Sequence, residues 1–468
     1  MNSVAAMTEQ HVSWVVPRKE WAGNMRIFQG RYHIVESCAV RLLSAVLILA
    51  GSCFSVQAQG IYLPVSGTVN RSMGGASTAA PIDAVGALYW NPATISGLKE
   101  SELGFGSDFL FVDLDLGSSI TGVGSGSTES DSSVTPIPSI GWVHKLNANT
   151  TMGMGLGAVA GFSTNFPANP TSPIQAPQTL GGFGRVASSA EFLQVTPVLS
   201  LQLTDDLAMA FGPVVTLGKL QVDPFFFGTP DNANGSGPAA GSYPIGMSSR
   251  YHFGLGAQAG LYYTGMQDIT LGASIKSTQF MEQFRVQTQD ELGFQRFLKF
   301  DLDLPMIMSL GAAYHGMENT VMAIDVRYFD YRNTQGFGDA GFNAGGALKG
   351  LNWQNVFSLA IGGRTRLCEK LTVGAGYQYN TSPIRASDTG LNFASPLYQQ
   401  HTLHTGMTIH MTDKVDFNLA YSVIPDTKIT GPILTAPAGG GAPVAVPDSS
   451  VTSSLAAHVI SMGVSVRY

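Results

Sequence analysis

The chain has 468 residues, 25 Lys+Arg against 32 Asp+Glu, a net charge of -7 and only 12% charged residues, about half the roughly 25% usual in soluble domains. No basic stripe accompanies this balance, which excludes nucleic acid as a partner. Beyond residue 58 there is no apolar run of the roughly 20 residues a spanning helix needs, and mean hydropathy is +0.13, which excludes a helical membrane protein.

The one long apolar run, residues 42–56, follows Arg41 and leads into Val56-Gln57-Ala58. A basic flank, an apolar stretch and small residues at the minus-three and minus-one positions describe a secretory signal cut after Ala58. Two alternatives stay open here: a start at Met1 or Met25, and acylation at Cys53, for which Ala50-Gly51-Ser52 is a poor context. Removal of 1–58 takes Cys38 and Cys53 and leaves Cys368, so the exported chain can form no internal disulfide.

Residues 59–100 lack strand alternation and are rich in Gly, Ala and Ser, including Met73-Gly74-Gly75-Ala76 and Tyr89-Trp90-Asn91-Pro92-Ala93-Thr94. Asn91 can cap a short helical turn, Pro92 suits its first position and Gly97 can end it. A compact segment of about 40 residues ahead of a barrel of this size is suited to plug a lumen that would otherwise be an aqueous hole.

From a first strand near 101–116 to the C-terminus, apolar residues recur at every second position. Leu193, Val195, Pro197, Leu199 and Leu201 share one face, as do Phe300, Leu302, Leu304, Met306, Met308 and Leu310. Val415, Phe417, Leu419 and Tyr421 repeat the pattern, and so do Ile460, Met462, Val464, Val466 and Tyr468. Short polar turns separate such segments at 147–150, 204–206, 266–268, 318–320, 369–370 and 412–414. Longer Gly-, Pro-, Ser- and Asn-rich stretches lie near 117–135, 163–187, 223–247, 333–351 and 426–452. Short turns at one end and long loops at the other predict an all-β transmembrane antiparallel barrel of about 14 strands over residues 101–468. A soluble β-sandwich has no reason to sort its turns by length. Charges belong inside such a barrel, because a basic side chain facing lipid at the midplane costs about 2–4 kcal/mol. Trp142, Tyr262, Tyr263, Tyr314 and Trp353 fall near strand ends, where interfacial aromatics would sit.

Other motifs are set aside on position. Gly254-Leu255-Gly256-Ala257-Gln258-Ala259-Gly260 resembles a nucleotide loop but lies inside an alternating strand. His401 and His404 fall on opposite faces of a strand and cannot share a metal. There is no GxSxG elbow. No metal, no cofactor and no catalytic residue are expected.

With signal, plug and strands in place, residues 59–468 resemble the FadL-type family of outer-membrane transporters for long-chain fatty acids and aromatic hydrocarbons. The most specific part runs from Gly74-Gly75-Ala76 to Asn91-Pro92-Ala93, similar to that family's N-terminal hatch. Leu302-Asp303-Leu304-Pro305, Asp325-Val326-Arg327-Tyr328 and Gly374-Ala375-Gly376-Tyr377 with Ser382-Pro383 support it by order and spacing. The resemblance implies a signal over 1–58, a hatch over 59–100 and a barrel over 101–468. It implies passive uptake of a hydrophobic molecule, caught at the outer loops and released sideways into lipid through a gap at a kink in the third strand. No energy-coupling segment is evident. That strand reads Met152-Gly153-Met154-Gly155-Leu156-Gly157, with Gly153, Gly155 and Gly157 facing inward. Inward glycine means either a bend for a portal or room for the plug.

Phe225, Phe226 and Phe227 in the third long loop, and Phe280, Met281, Phe284, Phe297 and Leu298 around the fourth, resemble by position the family's capture groove. Packing or leaflet anchoring is the equal alternative. Lys276, Arg285 and Arg296 could meet a carboxylate, but ordinary charge on a loop is the stronger reading, and nothing in the residues says that the ligand is an acid. The expected partners are a hydrophobic small molecule and outer-membrane lipid, with the chain acting as a monomer. A general porin, an outer-membrane lipase and an adhesion barrel are the rival functions.

Overall fold

The structure, a computed structural model, describes residues 59–131, 133–231, 242–290 and 292–468. The expected signal and the two possible starts lie outside them. Fourteen strands form the barrel: β1 (Glu102–Ile120), β2 (Thr135–Asn147), β3 (Thr150–Phe166), β4 (Val186–Thr204), β5 (Leu207–Asp223), β6 (His252–Met266), β7 (Ile269–Lys276), β8 (Ile307–Met317), β9 (Thr320–Phe329), β10 (Val356–Cys368), β11 (Leu371–Asn380), β12 (His401–His410), β13 (Val415–Gly431) and β14 (Ser449–Arg467). Each pairs antiparallel with its neighbours in sequence. The ring closes where β14 returns to β1, from Glu102↔Arg467 to Ile120↔Ser449. Closure removes the unpaired edges that hydrocarbon would penalise. Two short strands add to the wall, Gly124–Glu129 on β1 and Phe280–Met281 on β6.

The six short turns come where the sequence predicts them. Asp268 and Asn319, at φ 59 and 57, supply left-handed positions that Asp and Asn tolerate. Every longer connection lies at the other end of the barrel, one of them the 277–306 excursion that carries a hairpin of Phe284–Gln289 and Gln295–Phe300. The dyad sorts the two faces. Met308, Leu310, Ile324, Val326, Met462 and Val464 are exposed on the outer wall, whereas Ser309, Asp325, Arg327, Asn418, Ser461 and Ser465 are buried inside.

Two expectations are corrected. Phe300 to Leu310 is not one strand. Phe300 ends the outer hairpin, Leu302 and Leu304 are buried, and β8 begins only at Ile307. The alternation of the two pieces runs in phase across an irregular link, which hides the break. Tyr262 and Trp353 are also not lipid-facing aromatics. Tyr262 packs inward with Ala93, and Trp353 is buried against Tyr331 and Phe337.

The inside is filled in two zones. At the long-loop end, Phe183, Phe226, Phe393, Tyr331, Phe337 and Trp353 belong to one apolar cluster. Below it lies the N-terminal segment, whose Met73, Ala76, Ala79 and Ala80 meet Ala313, Ala323 and Ala360 of β8, β9 and β10. Small residues on both sides let backbone approach wall.

Met462, outward near the middle of β14, is the position to test lipid exposure. Met462→Arg is expected to cost about 2–4 kcal/mol of barrel stability, read as a lower urea midpoint for the heat-modifiable band in lipid vesicles. Met462→Leu is expected to leave it unchanged.

Candidate functional site

The N-terminal segment takes its course from a few residues with particular backbone demands. Helix α1 (Thr68–Ser72) ends into Gly74 and Gly75, at φ +64 and +79, a left-handed pair that side chains resist. A Cβ at Gly74 would stand 2.9 Å from the Tyr377 backbone nitrogen of β11. Asp83 caps α2 (Ala84–Trp90) by accepting the Gly86 N–H at 3.1 Å. Its burial raises the carboxyl to about 6, opposed by that N–H and by Arg364. Asn91 then caps the 3-10 turn Pro92–Gly97, its side chain accepting the Ala93 N–H at 3.1 Å.

The same Asn91 amide ties the segment to the wall, donating to Thr78 O at 2.8 Å and to Leu261 O of β6 at 2.9 Å. Gly260 permits this, since a Cβ there would lie 2.0 Å from Asn91 Oδ1. The run Gly254 to Gly260 is therefore clearance. Gly254 and Gly256 make the same room for Met281 and Gln279.

The barrel answers with inward charge. Asp325 Oδ2 on β9 accepts the N–H groups of Ser77 and Thr78, both at 2.9 Å, and the Thr78 hydroxyl at 2.8 Å. Arg327, two residues on and so on the same face, pairs with Asp325 and donates to Gly75 O. Its guanidinium lies 3.7 Å from the centroid of the Trp90 ring. Arg71 of α1 pairs with Asp108 of β1. Glu102 accepts the Ala84 N–H at 2.9 Å, Thr270 donates to Ala79 O at 2.7 Å and Ser274 to Trp90 O at 2.6 Å. Groups costly to bury alone thus find partners across the bore.

One seam of the wall is incomplete. β2 and β3 pair only as far as Ser139↔Gly157, although β2 continues to Thr135 along β1 and β3 continues to Phe166 along β4. Pro136 and Pro138 lie in the unpaired part of β2, and proline has no N–H to offer. The free edge of β3 bonds instead with residues 61 and 63 of the N-terminal segment. Leu63 N–H donates to Val159 O at 2.8 Å, Gly161 N–H to Ile61 O at 3.1 Å, and the Tyr89 hydroxyl to Leu63 O at 2.8 Å. A cavity of about 30 Å³ reaches this seam between Leu88, Tyr89 and Ser139 on one side and Gly155 to Val159 on the other. Gly153 and Gly155 face Leu88, at 2.9 and 3.4 Å from their ideal Cβ positions, and Gly157 faces Pro138 O at 2.8 Å. Two of the three glycines accommodate α2, and the third closes the paired part of the seam.

The loop aromatics divide. Phe225, Phe226 and Phe284 are buried: Phe226 packs on Phe183 and Phe393, and Phe284 on Phe192 and His252. Phe227 stacks on Phe300 at 3.9 Å, and Met281 and Leu298 are half-buried against the same cluster. Phe280 and Phe297 are each 67% exposed; Phe280, paired with the outward Leu255, lies on the outer face of the wall. Of the three basic residues read as loop charges, Arg285 is exposed and Arg296 pairs with Asp231 at 3.1 Å. Lys276 is different: it ends β7 and is buried in the lumen. Its phase with Thr270, Gly272 and Ser274 is the signal that places it inward. A second cavity, about 10 Å³, lies between it and Tyr62, Tyr89, Trp90, Gln258 and Ser309. His401 and His404 point apart, toward Tyr377 outside and Ser422 inside.

A family model described as "Outer membrane protein transport protein (OMPP1/FadL/TodX)" matches residues 49–468. Among solved structures, a Pseudomonas aeruginosa FadL homologue aligns at 14% identity and TM-score 0.65, covering 87% of this chain and 99% of that one. The P. putida toluene transporter TodX aligns at 17% and 0.62, again covering 87% and 99%. The Ralstonia pickettii toluene transporter TbuX aligns at 17% and 0.61 with the same coverages. No curated protein sequence matches.

Asp325→Ala strands the Arg327 charge and two amides of the N-terminal segment. Breaking a buried pair costs about 3–5 kcal/mol, so this variant is expected to make residues 59–98 protease-sensitive and to raise ion conductance in planar bilayers above wild type.

Proposed function

We propose, from the premise that the chain belongs to the outer membrane protein transport protein family (OMPP1/FadL/TodX), that it takes up long-chain fatty acids or aromatic or aliphatic hydrocarbons by passive diffusion. It is a transporter of the outer membrane and not an enzyme. The ligand is caught at the exposed Phe297, enters the lumen, and leaves sideways into lipid between β2 and β3. Residues 59–100 act as the hatch, 101–468 as the conducting wall, and 1–58 as the signal. One chain supplies every part of the pathway, so the working unit is a monomer.

The observation that carries this reading is the seam above Gly157, whose free β3 edge is bonded to the hatch's own start at Ile61 and Leu63. Cavities of about 10 and 30 Å³ offer room on the order of a water or two. Passage therefore requires the hatch to shift, and movement of residues 59–66 would widen the lumen and free the seam together. Sideways release follows from solvation. Each methylene favours an apolar site by about 0.8 kcal/mol, so a chain of roughly sixteen carbons carries on the order of 10 kcal/mol. Release into periplasmic water would forfeit most of that, whereas release into bilayer forfeits little. No energy input is needed for a step that stays apolar throughout.

A deletion strain is expected to lose most uptake of labelled palmitate or toluene, and the gene in trans to restore it with a protonophore present. Unaltered uptake in the deletion strain, or strict dependence on the proton gradient, would contradict the proposal. The exit route has its own test. Cysteines at Ile137 and Val159, joined by a short bismaleimide, are expected to cut uptake about tenfold, and reagent without the second cysteine to leave it intact. Full uptake with the seam bridged would exclude exit there.

A further inference from the structure

One stretch of the outer rim carries cations whose neighbouring acids are already engaged. The outward positions of β5 are Leu207, Met209, Phe211, Pro213, Val215 and Leu217, and the next is Lys219. The ten residues from Leu207 to Leu217, at about 3.3 Å each and tilted by about 40°, rise roughly 25 Å, the height of a barrel's apolar band. Lys219 is therefore the first charge of this strand above the hydrocarbon, at the depth of lipid head groups. Directly across from it is Glu191 of β4, and its ammonium lies 5.8 Å from the centroid of the Tyr251 ring. One step lower, Leu193, Leu217 and Phe253 stand in register on the lipid side.

The hairpin of Phe284–Gln289 and Gln295–Phe300 brings more charge to this level. Arg285 N–H donates to His252 Nε2 at 3.2 Å, and His252 pairs with Gly218, the neighbour of Lys219. One face of the hairpin packs Phe284 on Phe192 and Phe300 on Phe227, within the aromatic cluster at the long-loop end of the lumen. The other face looks away from the lumen. On it Arg285 stands directly opposite Lys299, both exposed, and like charges so placed repel. The acids nearby are taken: Glu191 accepts the Tyr251 hydroxyl at 3.1 Å, Glu282 pairs with Arg250 at 3.6 Å, and Asp301 accepts Gln283 Nε2 at 3.0 and 3.1 Å. Lys219, Arg285 and Lys299 have, among the described residues, no carboxylate in ion-pair range. At the outer end of β1 the exposed charges are Asp113 and Asp115, so the surplus of cation is local and not a property of the whole rim.

We infer that Lys219, Arg285 and Lys299 form a binding site on the outer wall for a phosphorylated lipid of the outer leaflet. Its acyl chains lie against Leu217, Phe253, Leu255 and Phe280, and its phosphate sits among the three cations. A phosphate offers enough oxygens to engage a guanidinium and ammonium groups together, and its charge relieves the repulsion between Arg285 and Lys299. Clusters of Lys and Arg at a membrane surface hold anionic lipid in this way. The apolar side chains directly below, with Phe280 across from Leu255 on the lipid side, suit a lipid and are of no use to a free anion. The inference goes beyond the transport reading, since it concerns the wall's lipid and not the cargo. Phe297 shares the hairpin's outer face with Lys299, so a lipid held there would keep the proposed capture residue at the membrane surface.

The test titrates the detergent-purified full chain with diphosphoryl lipid A, with the same lipid stripped of both phosphates, and with inorganic phosphate. Wild type is expected to bind the phosphorylated lipid at least about tenfold more tightly than the stripped one. Arg285→Gln combined with Lys299→Gln is expected to remove that preference, and Lys219→Gln alone to weaken it about threefold. Lys370→Gln combined with Lys414→Gln, an equal loss of charge at the short-turn end, is expected to stay within about twofold of wild type. Heat-modifiable migration verifies folding, and the single Lys299→Gln variant takes the place of a double variant that does not fold. Equal affinity for the two lipids in wild type, a preference that survives loss of the hairpin cations, or displacement of the lipid by an equal concentration of inorganic phosphate overturns the inference. An equal fall in the short-turn variant overturns it too, by showing that net charge and not this site holds the lipid.

Discussion

The carboxylate of Asp325 and the guanidinium of Arg327 share one face of one strand, inside a wall whose other face meets lipid. Neither charge could be held there alone. What makes the pair tolerable is backbone from elsewhere in the chain: the amides of Ser77 and Thr78 and the carbonyl of Gly75. The barrel needs the N-terminal segment to satisfy its interior, and the segment, too short and small-sided for a core of its own, needs the barrel to fix its course. The two halves of the molecule therefore specify one another.

The incomplete seam follows from the same accounting. A sheet closed against lipid satisfies its backbone from within. Where β2 loses donors at Pro136 and Pro138, the edge of β3 must bond elsewhere, and it finds Ile61 and Leu63. On the proposed reading, one segment both stops the bore and seals the side. The binding energy that holds it is distributed over hydrogen bonds to β1, β6, β7 and β9, so a shift of its first few residues need not undo the rest.

Much of the barrel was legible because the dyad and the six tight turns are local signals. Pairs such as Phe417 and Asn418, or Met462 and Gly463, announce their faces without reference to any partner. The 277–306 hairpin was not legible, since Phe300 to Leu310 alternates through a break in the backbone. The inward glycines of β3 were ambiguous from sequence because the side chain that fills their space, Leu88, comes from a distant part of the chain. Asn91 was readable as a cap, but its bond to Leu261 O was not, because that contact exists only once the segment lies in the bore. Lys276, followed by the polar Ser277, Thr278 and Gln279, has the local context of a loop charge. Its phase along β7 was the better guide.

Hydrogen exchange followed by mass spectrometry on the detergent-solubilised protein tests the mutual dependence of segment and wall most directly. The account predicts that peptides covering Ser77, Thr78, Ala84, Gly86 and Ala93 exchange as slowly as those from β9 and β14, as amides buried and bonded to a barrel must. Exchange of that stretch at the rate of an unstructured peptide, with the strands still protected, would show the bore to be filled by something other than the chain's beginning.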